Sequence, residues 1–315
     1  MASSIMSNHC FFIVAFFLLS VTAAYGQLSE NFYAGTCPAL DGIIQREVSR
    51  ALSAEKRMGA SLLRLFFHDC FVQGCDASIL LDDVPETLFI GEKTASPNVN
   101  SVRGYDVIDN IKAAVEANCS GVVSCADVIA LATRQAVVQL GGPTWTLLLG
   151  RRDSTTASKA QAESDLPGPR FNLTGLIGAF GKKGLTPNEL VALSGAHTIG
   201  KARCAFADDG QEGRAGCPPL PLPLLQLSSD MTALDLQTPE AFDNKYYENL
   251  VKKKGLLHSD NVLVTDSTLN SLVKKYGTKP GIFASDFAAA MERLSKIGVL
   301  TGGNGQIRFD CKKVN

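Results

Sequence analysis

The cysteines of this chain constrain its fold more than any other sequence feature. Eight of them follow residue 26, namely Cys37, Cys70, Cys75, Cys119, Cys125, Cys204, Cys217 and Cys311. Spacing alone leaves their pairing open, but an even number in a chain that begins with a secretory signal indicates four disulfides formed in an oxidising compartment. The sequence has no CxxC…CxxC or Cys/His ladder, so the cysteines do not predict a zinc site.

The first 26 residues are predicted to be that signal. They contain a short apolar core, residues 11–19, followed by small residues typical of a cleavage site before Gln27. The apolar run is shorter than the roughly 20 residues that cross a membrane, so we expect cleavage rather than anchoring. Two glycosylation sequons, at Asn118 and Asn172, agree with secretion.

The composition fits a large globular protein. The chain has 315 residues, a formal net charge of −1 and 45 % hydrophobic residues, which suffices for a sizeable core and one or two domains. A net charge this close to zero gives no electrostatic reason to expect binding to nucleic acid or to an anionic membrane surface.

Apolar residues recur every three or four positions through most of the chain, which predicts a mostly α protein. The spacing occurs in GIIQREVSRAL, YDVIDNIKAAVEANC, CADVIALATRQAVVQLGG, FNLTGLIGAF, AFDNKYYENLVKKKG, STLNSLVKKYG and SDFAAAMERLSKIG. Two-residue alternation is scarce, so we expect at most short strand pairs. The proline-rich run CPPLPLPLLQLSS, residues 217–229, is predicted to be an irregular loop.

One of the four histidines lies in an apolar run, LVALSGAHTIG. Before it, Thr186, Pro187 and Glu189 form a capping-box pattern that predicts a helix beginning at Pro187. Ser194 and His197 then fall on the apolar face near the end of that helix. On spacing alone, a histidine packed in the core is the simpler interpretation.

A second histidine segment, LLRLFFHDC, places Arg64 and His68 four residues apart, on one face of a helix. A fixed cation inside this wall of leucine and phenylalanine is costly unless it has a function. The arginine would lower the pKa of the imidazole, which would stay neutral and able to accept a proton, with an anion stabiliser beside it. An arginine that extends to the surface is the alternative interpretation.

Two further segments are rich in oxygen ligands. Such hard donors suit Ca²⁺, above all on a loop that a bridge between Cys70 and Cys75 would fix, and the spacing is not that of an EF-hand. Polar turns are the alternative. The first set consists of Asp69, Val72, Gly74, Asp76 and Ser78, and the second of Asp235, Thr238 and Asp243.

With these motifs in place, long runs in fixed order resemble the plant secretory haem peroxidases, the class III type. The runs cover almost everything after the signal and include QLSENFYAGTCP, LLRLFFHDCFVQGCDASILLDD, EKTASPNVNSVRGYDVID, VSCADVIALATR, GGPTWTLLLGRRDS, DLPGP, LVALSGAHTIGKARC, LDLQTPEAFDNKYYENL and GLLHSD. The resemblance implies a mostly α haem peroxidase fold, with haem b between a distal helical domain, residues 27–150, and a proximal helical domain, residues 151–315. It also implies an enzyme that reduces H₂O₂ and oxidises small phenolic donors in one-electron steps.

The resemblance assigns roles on both faces of the haem. His197 matches the axial ligand of the iron, and Asp260 the carboxylate that accepts the other N–H of that imidazole. His68 and Arg64 match the distal acid–base pair, and Asn98 matches the acceptor of the other N–H of His68.

Further positions are implied around the same site. Bulky donors would react at an exposed haem edge rather than at the shielded iron. The resemblance makes Glu92 a carboxylate that supports Asn98 and the distal calcium site, and Phe67 the aromatic shield. It places Pro167 and Phe206 near the exposed edge. Haem propionates would bind at Arg57, Ser61, Ser101 and Arg203.

The resemblance also implies two Ca²⁺ ions and four disulfides. The distal calcium ligands would be Asp69, Val72, Gly74, Asp76 and Ser78, and the proximal ones Thr198, Asp235, Thr238, Ala241 and Asp243. The disulfides would be Cys37–Cys119, Cys70–Cys75, Cys125–Cys311 and Cys204–Cys217. Because Thr198 directly follows the iron ligand, loss of calcium is expected to disturb the haem. The family further implies a monomer secreted to the cell-wall space, the apoplast.

One stretch departs from the family pattern. Only twelve residues, AFADDGQEGRAG, separate Cys204 from Cys217, where family members usually carry a considerably longer segment. A secreted binding or structural protein on a peroxidase scaffold with impaired haem retention is therefore an alternative. A zinc-dependent hydrolase is another, but the sequence lacks any HExxH-like pattern. His258 matches no functional position and is interpreted as a solvated helix-end residue.

Overall fold

The computed structural model describes residues 28–208, 217–218 and 229–315 of the chain. Within them the fold is mostly α, which confirms the prediction. Eleven α-helices have the bounds α1 Leu40–Ala54, α2 Met58–Phe71, α3 Tyr105–Glu116, α4 Cys125–Gln139, α5 Lys159–Asp165, α6 Leu173–Lys182, α7 Pro187–Ser194, α8 Lys245–Val251, α9 His258–Asn261, α10 Ser267–Thr278 and α11 Pro280–Leu294. Short 3₁₀ turns occur at Ser78–Leu80, Pro85–Thr87, Gly195–Thr198, Cys204–Phe206 and Val262–Val264.

Strand structure among the described residues is limited to one short antiparallel pair and isolated bridges. The pair consists of β1, Lys201–Arg203, and β2, Met231–Ala233. It follows the 3₁₀ turn that carries His197, and therefore fixes the direction in which the chain leaves that turn. The predicted signal, residues 1–26, and most of the predicted proline-rich loop, residues 219–228, lie outside the described residues.

Helix α4 lies at the centre of the first half of the fold, in contact with α1, α2 and α3. It begins after Ser124, whose Oγ accepts a hydrogen bond from the Asp127 N–H at 3.1 Å. Its alanine, valine and isoleucine side chains are buried on nearly every face. Because small residues allow close approach on all sides, α4 can hold α2, and with it Arg64 and His68, firmly in place.

Helix α7 packs against α6, α10 and α11 in the second half. The predicted capping box is present: Glu189 N–H donates to Thr186 Oγ1 at 3.3 Å, and Thr186 N–H donates to Glu189 Oε2 at 2.7 Å. The α-helix ends at Ser194, earlier than the spacing indicated, and tightens into a 3₁₀ turn. His197 therefore lies on this turn rather than on the apolar stripe of the helix.

The structure contains four disulfides, and they are the four pairs that the family resemblance implied: Cys37–Cys119, Cys70–Cys75, Cys125–Cys311 and Cys204–Cys217. The third joins the first residue of α4 to the C-terminal segment across 186 positions of sequence. The fourth closes although so few residues separate its cysteines, because closing a short loop costs little entropy.

A buried ion pair connects α4 with the segment that follows it and, through the Ser295 carbonyl to which Arg151 also donates, with the end of α11. Asp127 on α4 accepts hydrogen bonds from Arg151 Nη1 at 2.7 Å, Tyr33 Oη at 2.8 Å and Gly150 N–H at 2.7 Å. The side chains of Asp127 and Arg151 are fully buried, so these bonds must offset the cost of removing both charges from water. Among the described residues, no helix is both long and apolar enough to cross a membrane.

Candidate active site

The first half of the site is an imidazole held in one tautomer. His68 lies on α2, is 6 % exposed, and its Nδ1 is 2.6 Å from Asn98 Oδ1. Because an amide oxygen only accepts, Nδ1 must carry the proton and Nε2 keeps a free lone pair. Burial, and next the charge of Arg64, lower the pKa of His68 to about 3. The side chain is therefore a neutral proton acceptor at any physiological pH.

The bonds behind Asn98 differ from the expectation. Its Nδ2 donates to the backbone carbonyl of Glu92 at 2.9 Å, not to the carboxylate. The Glu92 carboxylate turns away, because it accepts the Ser158 N–H at 3.1 Å. Burial raises the pKa of Glu92 to about 8. The prediction that this carboxylate supports Asn98 is therefore wrong, although the same residue does so through its main chain.

Arg64 stands one helical turn before His68. Its Nη1 donates to Ser101 Oγ at 2.8 Å and its Nη2 to the Pro97 carbonyl at 3.1 Å. Protein encloses the guanidinium on most sides, and this burial lowers its pKa to about 10. The side chain nevertheless keeps solvent-accessible surface, so it faces a cleft rather than the packed core.

The second half of the site is another imidazole, His197, whose Nδ1 is 2.8 Å from Asp260 Oδ1. Burial lowers the pKa of His197, but the charge and hydrogen bond of Asp260 outweigh burial, and the net shift of the pKa is upward. Tyr246 donates its hydroxyl proton to the same Asp260 oxygen at 2.9 Å. The His197 side chain is 37 % exposed, so the imidazole also faces open space.

Direct contact brings the two halves of the site together, because Gly200, three residues after His197, lies against Ala60 of α2. Arg64 is close enough to His197 for its charge to lower the pKa of that imidazole, and Arg57 and Arg203 in turn lower the pKa of Arg64. The site thus combines two imidazoles, with Nδ1 engaged in both, and three mutually interacting arginines. A haem needs an axial nitrogen, a distal base and cations for its propionates, so the residues present fit that group.

Several predicted cleft residues already have partners within the protein. Ser101 accepts from Arg64, while Ser61 Oγ donates to the Arg57 carbonyl at 3.4 Å. The ring centroid of Phe67 lies 5.9 Å from that of His68 and 4.1 Å from that of Phe71. This packing places an aromatic side chain beside the distal imidazole.

The first oxygen set lies at the C-terminal end of α2 and in the loop that follows it. The buried atoms Asp69 Oδ1, Ser78 Oγ and Glu92 Oε2 have no hydrogen-bond partner. Burial and the charge of Asp76 raise the pKa of Asp69 well above its usual range, and burial raises that of Asp76 to about 6. Unsatisfied oxygens beside crowded carboxylates are unfavourable unless a cation binds them. The donor set therefore fits Ca²⁺.

The loop that carries this set has little freedom. Gly74 has φ of 146°, and a Cβ there would clash with the backbone of Gly298. The Cys70–Cys75 bridge spans the same loop, and the Cys75 N–H donates to the Ile297 carbonyl at 2.9 Å. Val72 and Gly74 are consequently held in a fixed conformation, with the Gly74 N–H donating to the Val72 carbonyl at 2.7 Å.

The second oxygen set surrounds the residue after His197. Thr198 Oγ1 is 3.1 Å from Asp235 Oδ2 and 3.3 Å from Asp243 Oδ1, and the buried Thr238 Oγ1 has no partner. Burial raises the pKa of Asp235. The Ala241 N–H donates to the Thr238 carbonyl at 3.1 Å, which brings the fifth residue into the same loop. Within the described ranges, no group of three or more His, Cys, Asp or Glu side chains is arranged to hold a metal, so a cation at either set would also need hydroxyl or carbonyl oxygens.

One residue near the site, Tyr246, was missed from sequence. Tyr246 lies in the quoted run LDLQTPEAFDNKYYENL, but nothing local connects its hydroxyl with Asp260, fourteen positions further on. His258 is the first residue of α9 and its side chain is exposed, as expected for a solvated helix-end residue; its Nδ1 lies 3.6 Å from Asp208 Oδ1. Tyr246 could have been suspected only because a buried tyrosine hydroxyl needs a hydrogen-bond acceptor.

A mostly helical fold with a neutral distal imidazole, an adjacent arginine and an opposing histidine–carboxylate pair defines a haem peroxidase. Comparisons with known proteins agree. A family model described as Peroxidase matches residues 44–279. Peroxidase 70 of Zea mays is 51 % identical over 310 residues, which cover 95 % of each chain. The lignin-forming anionic peroxidase of Nicotiana sylvestris is 49 % identical over 311 residues and 96 % of each chain. The chain belongs to the plant peroxidase family, class III.

The alignment with Peroxidase 4 of Vitis vinifera, at 50 % identity, spans 326 residues and covers 98 % of this chain and 99 % of the relative. That length exceeds the 315 residues of the chain. The relative therefore has residues for which this chain has no counterpart.

Proposed function

We propose that His68, Arg64 and Asn98 are the peroxide-reacting residues of this enzyme and that His197 is the ligand of haem iron, with Asp260 as its partner. The observation that carries this proposal is the pair of imidazoles on neighbouring segments of the fold, each with Nδ1 bonded to an oxygen acceptor. In this arrangement the haem lies between a distal half, residues 27–150, and a proximal half, residues 151–315.

The chain's own residues move protons in a defined order. His68 Nε2 takes a proton from one oxygen of H₂O₂, because the Asn98 bond leaves that nitrogen unprotonated. It then gives the proton to the other oxygen, which departs as water, while Arg64 stabilises the negative charge that develops. Haem, when bound, would hold the two oxidising equivalents of H₂O₂ until two donor molecules reduce it, one electron each. Overall, one H₂O₂ becomes two waters, and each donor loses one electron and one proton.

The proximal pair sets the strength of the iron ligand. His197 donates its Nδ1–H to Asp260, which increases the basicity of Nε2, the nitrogen that would bind iron. We assign Arg57 and Arg203, with Ser61 and Ser101, to the propionates of haem b. Arg203 Nη2 is bonded to the Asn100 carbonyl, which ties this cation to the loop that also carries Asn98 and Ser101.

We further assign a Ca²⁺ ion to each oxygen set. The support is the same in both: buried oxygens without partners and carboxyl groups whose pKa is raised by burial. The distal ligands are Asp69, Val72, Gly74, Asp76 and Ser78, with Glu92 nearby, and the proximal ligands are Thr198, Asp235, Thr238, Ala241 and Asp243.

Phenols are the proposed donors, and the relative named as lignin-forming supports this class. Phe67 covers the approach to the distal imidazole, so donors would meet the haem edge beside Pro167 and Phe206. Phe206 is 40 % exposed, so its ring is accessible to a donor. We propose secretion to the apoplast as a monomer, without a role in nucleic-acid binding. No observation favours a non-catalytic scaffold protein.

A visible absorption spectrum tests the proposal. Protein refolded with haem should show a Soret band that changes when H₂O₂ is added. His197→Ala should weaken haem binding and shift the band, while Tyr247→Phe, a buried change that leaves Asp260 untouched, should not. A His197→Ala variant with the spectrum and peroxide response of the wild type would overturn the ligand assignment.

A further inference from the structure

The wall of the proposed donor site beside Phe206 is formed by the segments 167–171, 205–208 and 256–259. It carries a positively charged side chain to which no role has been assigned. Arg170 lies between α5 and α6, in the loop that also contains Pro167, and its side chain is exposed. Its Nη2 donates to the carbonyl of Ala205, the residue before Phe206, at 3.0 Å. The hydrogen bond brings the guanidinium to the same part of the surface as both proposed donor contacts.

Three segments hold this wall together. The Ser259 N–H donates to the Pro169 carbonyl at 3.0 Å, and the Asp208 N–H donates to the Leu256 carbonyl at 2.8 Å. Ala207 and Leu257, in the same two segments, form an isolated antiparallel β-bridge. Because Ser259 immediately precedes Asp260, the position of Arg170 is fixed relative to the proximal imidazole of the site.

The charge of Arg170 is not neutralised by the protein. Among the described residues it forms no ion pair, and the bond to Ala205 is its one hydrogen bond. A guanidinium has five N–H donors in a fork that matches both oxygens of a carboxylate. Four of these donors remain free to bind a ligand in this part of the structure.

Two exposed aromatic residues are the sequence neighbours of the two residues that this hydrogen bond joins. Phe206 and Phe171, the residue after Arg170, are each 40 % exposed. Aromatic faces with a nearby guanidinium are complementary to a molecule that has both a ring and an anionic group. A neutral phenol would use only the rings.

We propose that Arg170 is a specificity-determining residue that favours phenolic carboxylates, such as hydroxycinnamates, over neutral phenols of the same size. The proposal rests on the proposed donor site beside Pro167 and Phe206. Since exposed ion pairs are weak and bidentate ones stronger, the preference that Arg170 creates should be roughly threefold to tenfold.

The test compares one hydroxycinnamate with its methyl ester, which lacks only the charge. Arg170→Gln should lower kcat/KM for the acid threefold to tenfold and leave the ester nearly unchanged, whereas Arg170→Lys should retain part of the preference. Arg50→Gln removes one exposed positive charge from α1, outside this wall, and serves as the control for net charge. Equal losses for acid and ester, or equal effects of Arg170→Gln and Arg50→Gln, would overturn the proposal.

A second readout does not need turnover. Calorimetric binding of 4-methoxycinnamate, which has no phenolic proton to lose, and of its methyl ester should show the same difference in the resting holoprotein. If Arg170→Gln binds both equally well and as tightly as the wild type does, Arg170 has no role in recognition. The Soret response to H₂O₂ is recorded for every variant, so a protein that fails to react with peroxide contradicts the proposed function instead.

Discussion

Asp260 receives more hydrogen bonds than its role as the partner of His197 requires. Its Oδ1 accepts from His197 Nδ1 at 2.8 Å and from Tyr246 Oη at 2.9 Å, and Tyr246 is almost completely buried. A carboxylate oxygen that accepts two hydrogen bonds has its negative charge stabilised by both donors. Tyr246 therefore weakens the pull of Asp260 on the His197 proton, and acts as a positioning residue for the proximal imidazole.

Tyr246→Phe should make His197 a stronger iron ligand, because Asp260 then stabilises the imidazole proton alone. We expect a lower ferric/ferrous reduction potential and a higher iron–histidine stretching frequency, measured by spectroelectrochemistry and resonance Raman scattering on the haem-loaded protein. Tyr247→Phe is the matched control, because Tyr247 donates to the Val191 carbonyl at 2.8 Å and not to Asp260. Identical shifts in the two variants, or shifts of the opposite sign, would count against this role.

At the scale of an element, α7 determines where His197 can stand. The capping box fixes the first turn, and Arg293 on α11 pairs with Glu189 of that box, Nε to Oε1, at 2.8 Å. Eight residues later the helix ends and tightens into the 3₁₀ turn Gly195–Thr198. A 3₁₀ turn has three residues per turn instead of 3.6, so the change redirects His197 from the buried stripe toward the cleft.

Removal of the cap should loosen this element. Thr186→Ala is expected to lower the free energy of unfolding by about 1 kcal/mol, a typical cost for losing an N-cap hydroxyl. Denaturant unfolding of the haem-loaded protein would measure the loss, and Thr186→Ser, which keeps the hydroxyl, should unfold nearly as the wild type does. The argument fails if the serine variant is as unstable as the alanine variant.

Local patterns predicted the elements better than the contacts between them. The spacing of apolar residues indicated the helices that became α1, α3, α4, α6, α8, α10 and α11, and the Thr186–Glu189 pattern placed the start of α7 at the correct residue. Such patterns depend on neighbours three or four positions apart, which a sequence displays directly. They could not indicate where α7 would change to a 3₁₀ turn, since packing around Gly195 decides that; a Cβ there would meet Tyr247 and Phe283.

The site could be predicted in its residues but only partly in its bonds. Family resemblance supplied His68 with Asn98 and His197 with Asp260, pairs separated by 30 and 63 positions. It did not indicate the hydrogen bond from Tyr246 to Asp260. It also assigned the support of Asn98 to the carboxylate of Glu92 instead of to its backbone carbonyl. Which oxygen of a residue faces inward depends on the rotamer and on distant neighbours, and neither can be read from a motif.

At the scale of the whole molecule, long-range constraints connect the cleft to the rest of the fold. Disulfides span 82 and 186 positions, and the buried Asp127–Arg151 pair links α4 to the Ser295 carbonyl after α11, to which Arg151 also donates. The two oxygen sets lie directly behind the two imidazoles, because Asp69 follows His68 and Thr198 follows His197. An ion bound at either set therefore stabilises the native fold and positions a site residue at the same time.

Removal of Ca²⁺ should affect stability and spectrum together. A ligand that binds only the native state, present at 100 times its dissociation constant, contributes about 2.7 kcal/mol of stability. We expect chelation to lower the melting temperature by several degrees and to alter the Soret band, and added Ca²⁺ to restore both. Asp76→Asn should have a lower melting temperature before chelation and a smaller response to it. Protein shown to be metal-free that keeps its melting temperature and spectrum would rule out a structural calcium ion at either set.

The rate of reaction with H₂O₂ tests the central claim most directly. The second-order rate constant would be measured by stopped-flow absorbance at the Soret band, with equal haem content in wild type and His68→Ala. Since the pKa of His68 is lowered to about 3, its Nε2 stays unprotonated above that value, and the wild-type rate should not change between about pH 5 and pH 8. His68→Ala should bind haem through His197 and react about 10²–10⁴ times more slowly. A near-normal rate in His68→Ala would contradict the account, as would a wild-type rate that falls with protonation of His68 near its usual pKa of about 6.5.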